Sequence, residues 1–177
     1  MKKSLLFFVD AETDGLYGSF LSVAVLVTDQ DGHELEHFYA ERVIRPDESL
    51  SPWVREHVLP FLGSAELTVQ TEEALLEAFW AFWLRYRETA ECVAYVQYPV
   101  EARLFTTCVL RAPREREFQG PFPLYDLSTL LAMNDLDVDC NLQALTGLEL
   151  PSHHALNDVR VAAAAWKKLW DERKRRC

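Results

Sequence analysis

The first residues whose types could do chemistry are Asp10 and Glu12, in the segment 10–15 (Asp-Ala-Glu-Thr-Asp-Gly), which directly follows a short apolar run. Because side chains alternate along an extended chain, the two carboxylates would point to the same face. Crowding like charges beside a buried strand raises their pKa values and costs stability unless cations or hydrogen bonds compensate. The spacing therefore favours a metal site. Alternatively, Asp10 simply ends the strand, and Glu12 and Asp14 are solvated in a turn.

A second segment with chemical potential is 153–158 (His-His-Ala-Leu-Asn-Asp), at the start of the last predicted helix. His153 is near enough to share a site with Asp158, and its reference pKa close to neutrality would let it take a proton from water. The alternative is structural: Asp158 lies in the first helical turn, where a carboxylate suits the helix dipole, and either histidine could be an exposed or capping residue.

The elements that must position these residues begin with strands. The run 4–9 is short and continuously apolar, as in a strand buried on both faces. Residues 20–28 are rich in β-branched side chains, and Asp31-Gly32 separates them from 33–44 as a hairpin turn would. The first quarter of the chain therefore predicts three strands.

Helices and strands alternate after this hairpin. Ser51-Pro52 has the residue types of an N-cap followed by proline at the first helical position. Further strands are predicted at 91–97 and 123–126, and helices at 52–58, about 71–89, 99–110, 127–133, 141–146 and about 155–175. The apolar faces of the two long helices are Leu75, Phe79, Phe82, Trp83 and Tyr86, and Leu156, Val159, Ala163, Trp166 and Trp170.

This order predicts an α/β fold: a mixed five-stranded sheet that contains an antiparallel hairpin strand and is flanked by helices. In such sheets, ligands usually bind where strands end and the following helices begin. Both acidic segments lie at such positions.

Composition limits the classes of function. The chain has 177 residues, 49% of them hydrophobic, and a net charge of −10, which fits one globular domain and argues against broad binding of duplex nucleic acid. The apolar run 5–9 is too short for a secretory signal, and 74–84 is too short to cross a membrane. Four cysteines without C-x-x-C spacing suggest neither disulfides nor a zinc site, so a cytoplasmic location is expected.

Taken together, the two segments resemble a known pattern. D-x-E-T-x-G after an N-terminal strand, with H-x-A-x-x-D opening the last helix, is similar to the DEDDh branch of the 3′-5′ exonuclease superfamily, which includes the polymerase proofreading subunit, RNase T and oligoribonuclease. The resemblance implies an RNase H-like fold and a single exonuclease-like domain over 1–177. It also implies that the general base is His153, whereas His154 has no catalytic role.

The middle motif departs from the family pattern. Members usually carry an aspartate in an H-N-x-x-F-D stretch after the fourth strand, and residues 94–105 here read Ala-Tyr-Val-Gln-Tyr-Pro-Val-Glu-Ala-Arg-Leu-Phe. The available carboxylate is Glu101, whose extra methylene could still reach a metal directly or through water. Alternatively, Glu101 only favours the N-terminus of its helix.

The resemblance implies metal-assisted hydrolysis of phosphodiesters that releases nucleoside 5′-monophosphates. Two Mg²⁺ or Mn²⁺ ions, about 3.5 to 4 Å apart, would be held by four carboxylates, with His153 accepting the proton of the attacking water. The implied ligands are Asp10, Glu12, Glu101 and Asp158. Because the cluster would be neutral only with metal present, ion binding is expected to stabilise the fold.

The resemblance also implies the contacts with substrate. Thr13 and the backbone after Glu12 would hold the terminal sugar, and Leu16 and Tyr17 would wedge against its base, although Leu16 could instead be a core residue. The expected substrates are 3′ ends of single-stranded DNA or RNA, or short oligonucleotides. The sequence leaves open whether the chain forms a homodimer or binds a partner protein. The alternative function is a binding module of the same fold that has lost turnover through the changed middle motif.

Overall fold

The computed structural model describes residues 3–176; Met1 and Lys2, which begin the N-terminal segment, and Cys177, the last of the four cysteines, lie outside the described residues. The strands are β1 (Leu5–Thr13), β2 (Phe20–Asp29), β3 (Glu34–Arg42), β4 (Leu67–Val69), β5 (Ala90–Ala94) and β6 (Leu124–Asp126). The helices are α1 (Pro52–His57), α2 (Glu72–Tyr86), α3 (Val100–Arg111), α4 (Pro113–Arg116), α5 (Leu127–Ala132), α6 (Leu142–Thr146) and α7 (Ala155–Arg176), with a 3-10 turn at Leu59–Phe61.

The strands form one mixed sheet in the order β4-β3-β2-β1-β5-β6. β2 pairs antiparallel with both β1 and β3, whereas β5 runs parallel to β1 and β6 runs parallel to β5. The predicted sheet had five strands, and the sixth is β4, which pairs in parallel with the end of β3. Three residues are too few to show an alternating pattern, and this explains why the sequence did not predict that edge strand.

Helices cover both faces of the sheet, and alternation along β1 separates the two cores. Phe7 and Val9 point to the side of α2 and α3, whereas Leu6 and Phe8 point to the side of α5 and α7. The predicted apolar faces of α2 and α7 are confirmed as core, with Tyr86 and Trp170 partly buried at the margins.

A third, smaller apolar cluster fixes the segment after β3. Val54 of α1 is fully buried and packs with Leu21, Leu50 and Val58. This cluster attaches α1 to the end of β2 that lies nearest the first acidic segment. Among the helices of residues 3–176, none combines the length and the apolar composition needed to cross a bilayer.

Candidate carboxylate and histidine site

The end of β1 positions the first two carboxylates. The parallel pairing of β1 with β5 stops at Val9 and Ala94, whereas β1 continues against β2 to Thr13. Asp10 and Glu12 share the parity of Leu6 and Phe8, so they belong to the face that α7 covers. The sheet is therefore open beside these two residues, at the carboxyl end of the central parallel strand.

The start of α7 brings a third carboxylate to the same place. Each of Asp10, Glu12 and Asp158 offers an oxygen, and these atoms all lie within 4.8 Å of one another. The Asp158 carboxylate also accepts a hydrogen bond from the backbone N–H of His154, at 3.1 Å. Two segments that are far apart in the sequence thus meet. The alternative in which Asp10 only ends the strand and Glu12 is solvated in a turn does not describe this arrangement, because both residues lie within β1.

Burial and mutual repulsion disfavour the charged forms of these groups. The pKa of Asp10 lies well above its usual range, first because the group is buried and then because Glu12, Glu101 and Asp158 are near. Burial, followed by the charge of Asp158, raises the pKa of Glu12 to about 7. Burial raises the pKa of Asp158 to about 6, against backbone hydrogen bonds that act in the opposite direction. Clustered oxygens of this kind fit a hard divalent cation, which removes the repulsion.

Glu101 lies on the other side of Asp10. Its side chain is buried in the first turn of α3, and together with Asp10, Leu16 and Tyr98 it lines a cavity of about 240 Å³. Burial is the main cause that raises its pKa to about 8. In the described chain, the compact group of ligand atoms comprises Asp10, Glu12 and Asp158 without Glu101. The structure thus places Glu101 beside the cluster, and its role as a metal ligand stays a prediction.

His153 faces the carboxylates across a cleft of about 550 Å³, which Asp10, Glu12, His153 and Asp158 all line. Its backbone has a positive φ of 61°, so the chain turns sharply before α7 begins. Burial, and then the nearby charge of His57, lower the pKa of His153. The imidazole is therefore neutral at neutral pH, as a proton acceptor must be.

His154 points elsewhere. Its Nε2 lies 2.9 Å from the Ser64 hydroxyl, and its ring packs 4.9 Å from the ring of Tyr39. Its Nδ1 accepts the backbone N–H of Asn157 at 3.4 Å, inside the first turn of α7. These contacts stabilise the start of α7. That His154 has no catalytic role stays a prediction.

The predicted substrate contacts fall into two groups. Thr13 is buried, and its hydroxyl donates to the carbonyl of Gly15 at 2.6 Å, which closes the turn after β1. Leu16 and Tyr17 are 60% and 67% exposed, so the core alternative for Leu16 is wrong. The hydroxyl of Tyr17 lies 3.4 Å from that of Tyr98, which is also exposed. Exposed side chains beside the carboxylates are available for contact with a ligand.

Sequence reasoning missed several residues of the site. Trp53 and His57 of α1 pack against His153, and Tyr98 comes from the segment before α3. The unusual middle segment 94–105 could have drawn attention to Tyr98. No sequence spacing, however, links the residues of α1 to His153, which lies about a hundred positions later. The remaining wall of the larger cleft is formed by Ala11, Tyr95, Asp139, Cys140, Asn141, Leu142, Gln143, Ser152 and Val161.

Comparison with solved structures finds this fold in nucleases. A moderately thermophilic exonuclease I from Methylocaldum szegediense superimposes with a TM-score of 0.68 at 21% identity, over 97% of this chain and 41% of that one. The zinc-bound complex of E. coli exonuclease I with single-stranded DNA gives 0.67 at 20% identity, over 99% and 42% of the two chains. Exonuclease X in complex with 5′ overhanging duplex DNA gives 0.57 at 18% identity, over 94% and 92%.

The chain thus spans less than half the length of the exonuclease I structures and nearly all of exonuclease X. No family model matches the sequence. No curated protein matches it either. At these identities the comparison establishes the fold, and the RNase H-like architecture expected from the motifs is confirmed.

Proposed function

We propose that this chain is a metal-dependent 3′-5′ exonuclease that hydrolyses phosphodiester bonds at the 3′ ends of single-stranded or short nucleic acids and releases nucleoside 5′-monophosphates. The observation that carries the proposal is the convergence of Asp10, Glu12 and Asp158 within 4.8 Å, with His153 across the same cleft. The fold shared with exonucleases I and X supports it.

The residues proposed to hold two Mg²⁺ or Mn²⁺ ions are Asp10, Glu12 and Asp158, together with Glu101 from the neighbouring cavity. When bound, divalent ions would activate the attacking water and stabilise the leaving 3′ oxygen. Among the chain's own groups, the neutral imidazole of His153 accepts the proton of the water, and the pKa lowered by burial keeps it free to do so.

The proposed substrate contacts surround this centre. Thr13 and the backbone after Glu12 would hold the terminal sugar, while the exposed Leu16 and Tyr17 would contact its base. Contacts of this kind do not depend on base identity, which suits an enzyme that removes successive nucleotides. The complex of E. coli exonuclease I with a dT13 oligonucleotide supports single-stranded ends as the substrate class. The complex of exonuclease X with 5′ overhanging duplex DNA supports nucleic-acid ends more generally.

The proposal treats residues 1–177 as a single exonuclease-like domain, and it assigns the protein to the cytoplasm. Three cysteines of the described part, Cys92, Cys108 and Cys140, are free thiols, as in a reducing compartment. A homodimer or a protein partner would enlarge the surface that contacts nucleic acid, and either fits the proposed reaction.

One observation favours a second candidate, a nucleic-acid-binding module without turnover. Glu101 stands where the related family carries aspartate, and the compact group of ligand atoms forms without it. In this alternative, the cleft would bind a nucleic-acid end and leave it intact.

The two candidates are separated by incubating 5′-labelled single-stranded DNA and RNA with Mg²⁺ or Mn²⁺. The exonuclease predicts a ladder that shortens from the 3′ end and disappears in Asp10→Ala but persists in the matched control Asp31→Ala, which removes an exposed carboxylate from the β2–β3 turn. Binding without any product would refute the exonuclease and support the module.

A further inference from the structure

Helix α1 is firmly attached beside the candidate site. The backbone N–H of Ser51, its N-cap residue, donates to the Asp14 carboxylate at 2.8 Å, and the Ser51 hydroxyl accepts the N–H of Val54. Val54 itself is fully buried in the apolar cluster around Leu21. The helix is thus tied to the turn that follows Asp10 and Glu12 and to the body of the protein, so its side chains have a defined position relative to the carboxylates.

Two aromatic side chains of α1 form a stack that ends on His153. The rings of Trp53 and His57 lie 4.8 Å apart and nearly parallel, at 13°. His57 is held in turn, because its Nδ1 lies 2.9 Å from the Trp53 carbonyl oxygen. The Trp53 ring meets the ring of His153 at 5.0 Å and 84°, and His57 lies 6.3 Å from it at 83°. These are the distances and angles of edge-to-face aromatic contacts.

The imidazole of His153 needs such support. It belongs to a residue outside the helix, with a backbone in the left-handed region. Its χ1 torsion has several staggered positions, and its χ2 torsion is broad. Catalytic bases are usually oriented by a third group that bonds to them. In the described part of the chain, the rings of Trp53 and His57 are the aromatic groups that contact the His153 ring, and both meet it edge to face. These contacts can take the part of the orienting group.

We propose that Trp53 is a positioning residue: its ring, backed by His57, holds the His153 imidazole in the orientation that faces the carboxylate cleft. This inference rests on the proposed function, because it assigns His153 the part of proton acceptor. Trp53 is half exposed, so a direct contact with substrate is the competing explanation of the same side chain. The covered face of the ring favours positioning, since His57 stacks upon it.

Steady-state kinetics on a 5′-labelled oligonucleotide distinguishes these two roles. A positioning residue predicts that Trp53→Ala lowers kcat at least about tenfold with KM within about twofold, because a small misplacement of a proton acceptor costs much of its contribution. Trp53→Phe, which keeps an aromatic edge, should recover most of the loss. A raised KM with unchanged kcat would overturn the proposal and assign Trp53 to substrate binding.

A structural measurement tests the inference independently of activity. Crystal structures of the metal-free proteins should show a single His153 rotamer in wild type and in Trp53→Phe. In Trp53→Ala, His153 should instead occupy several rotamers or a displaced one. His57→Ala, which removes the backing ring, should give the same change to a smaller degree. An unaltered His153 rotamer in Trp53→Ala would refute the positioning role.

The matched control is Phe118→Ala, which removes an aromatic side chain that is 89% exposed and belongs to the loop between α4 and β6. This variant should change neither kcat nor the rotamer of His153. His153→Ala gives the kcat that remains when the imidazole is absent, against which the other variants are compared. If wild type itself cleaves nothing, the proposed function fails, whereas the rotamer comparison still decides whether Trp53 orients His153.

Discussion

At the scale of single residues, Asp10 combines burial with three carboxylate neighbours, and each of these influences raises its pKa. A group that is repelled by its surroundings in the metal-free protein gains more than an isolated carboxylate when a cation arrives. The same side chain therefore lowers the stability of the metal-free fold and strengthens its affinity for metal. Such an opposition between stability and function is common at active sites.

The substitution Asp10→Asn separates the two effects. It removes one repelling charge, so the metal-free variant should be more stable than wild type near pH 8, by about 1 kcal/mol or about 2–4 °C for a domain of this size. Cleavage should fall at least about a hundredfold, since even residues that only support metal ligands commonly cost 10–100-fold in affinity or activity. Thermal melts in EDTA, paired with cleavage assays, measure both. A variant that is less stable in EDTA would contradict the proposed repulsion.

The pH dependence of stability should show the same carboxylates. The folded protein raises the pKa of Glu12 to about 7, of Glu101 to about 8 and of Asp158 to about 6, whereas unfolded carboxyl groups titrate near ~4. The folded state therefore binds more protons than the unfolded state between about pH 4 and about pH 8, and the contribution of these groups to stability is lost as pH rises through that window.

Metal should reverse this trend, because it binds the deprotonated carboxylates. The rise in melting temperature on adding Mg²⁺ or Mn²⁺ should thus be larger near about pH 8 than near about pH 5.5. Asp10→Asn serves as the control and should show a reduced rise at the higher pH. An equal rise at both pH values would count against a carboxylate metal site.

At the scale of elements, the turn after β1 connects the carboxylates to α1 through the Asp14–Ser51 hydrogen bond. Asp14→Ala should lower the free energy of unfolding by about 1–2 kcal/mol, because it leaves the partly buried N–H of Ser51 without its partner. It should also lower kcat, because α1 carries Trp53. Denaturant unfolding and initial rates test both effects. Asp31→Ala, in the exposed turn between β2 and β3, is the matched control and should stay within about 0.5 kcal/mol.

The sequence predicted the elements whose patterns are local. The apolar run that became β1 continues in regular alternation through Glu12, and this is why Asp10 and Glu12 share a face as expected. The start of α7 was predicted from its periodicity, which placed Asp158 in the first turn. The other long strands and helices could be predicted for the same reason, since the periodicity of their apolar residues is visible within each segment.

Contacts between elements far apart in the chain could not be predicted in this way. β4 has three residues and forms because the end of β3 offers it a partner. The contact of Trp53 with His153 depends on where α1 docks, and the docking depends on Val54 filling the apolar cluster around Leu21. The distance of Glu101 from the other carboxylates likewise follows from how α3 packs on the sheet. None of these features has a signature in spacing alone.

At the scale of the whole molecule, a net charge of −10 surrounds a site proposed to take a polyanion. Seven of the chain's 18 Lys and Arg side chains are already paired with carboxylates in the described structure. They are Arg42 with Glu48, Arg85 with Glu36, Arg87 with Glu88, Arg111 and Arg116 with Glu77, Arg160 with Glu34, and Lys167 with Asp171. Affinity for long nucleic acids comes largely from cations that neutralise successive phosphates. The attraction for substrate should thus be concentrated at the carboxylate site and its bound ions.

This charge distribution predicts a weak dependence on substrate length and on salt. If about three phosphates or fewer are neutralised, the logarithm of affinity should fall with the logarithm of monovalent salt concentration with a slope no steeper than about −2. The specificity constant kcat/KM per 3′ end should also level off at a few nucleotides, because further phosphates meet an acidic surface that does not attract them. Assays at fixed Mg²⁺ with single-stranded oligonucleotides of increasing length measure both. A KM that keeps falling with length, together with a slope steeper than about −4, would contradict this prediction, because it requires a row of basic residues along the bound nucleic acid. Such a row would have to come from a second subunit or a partner protein.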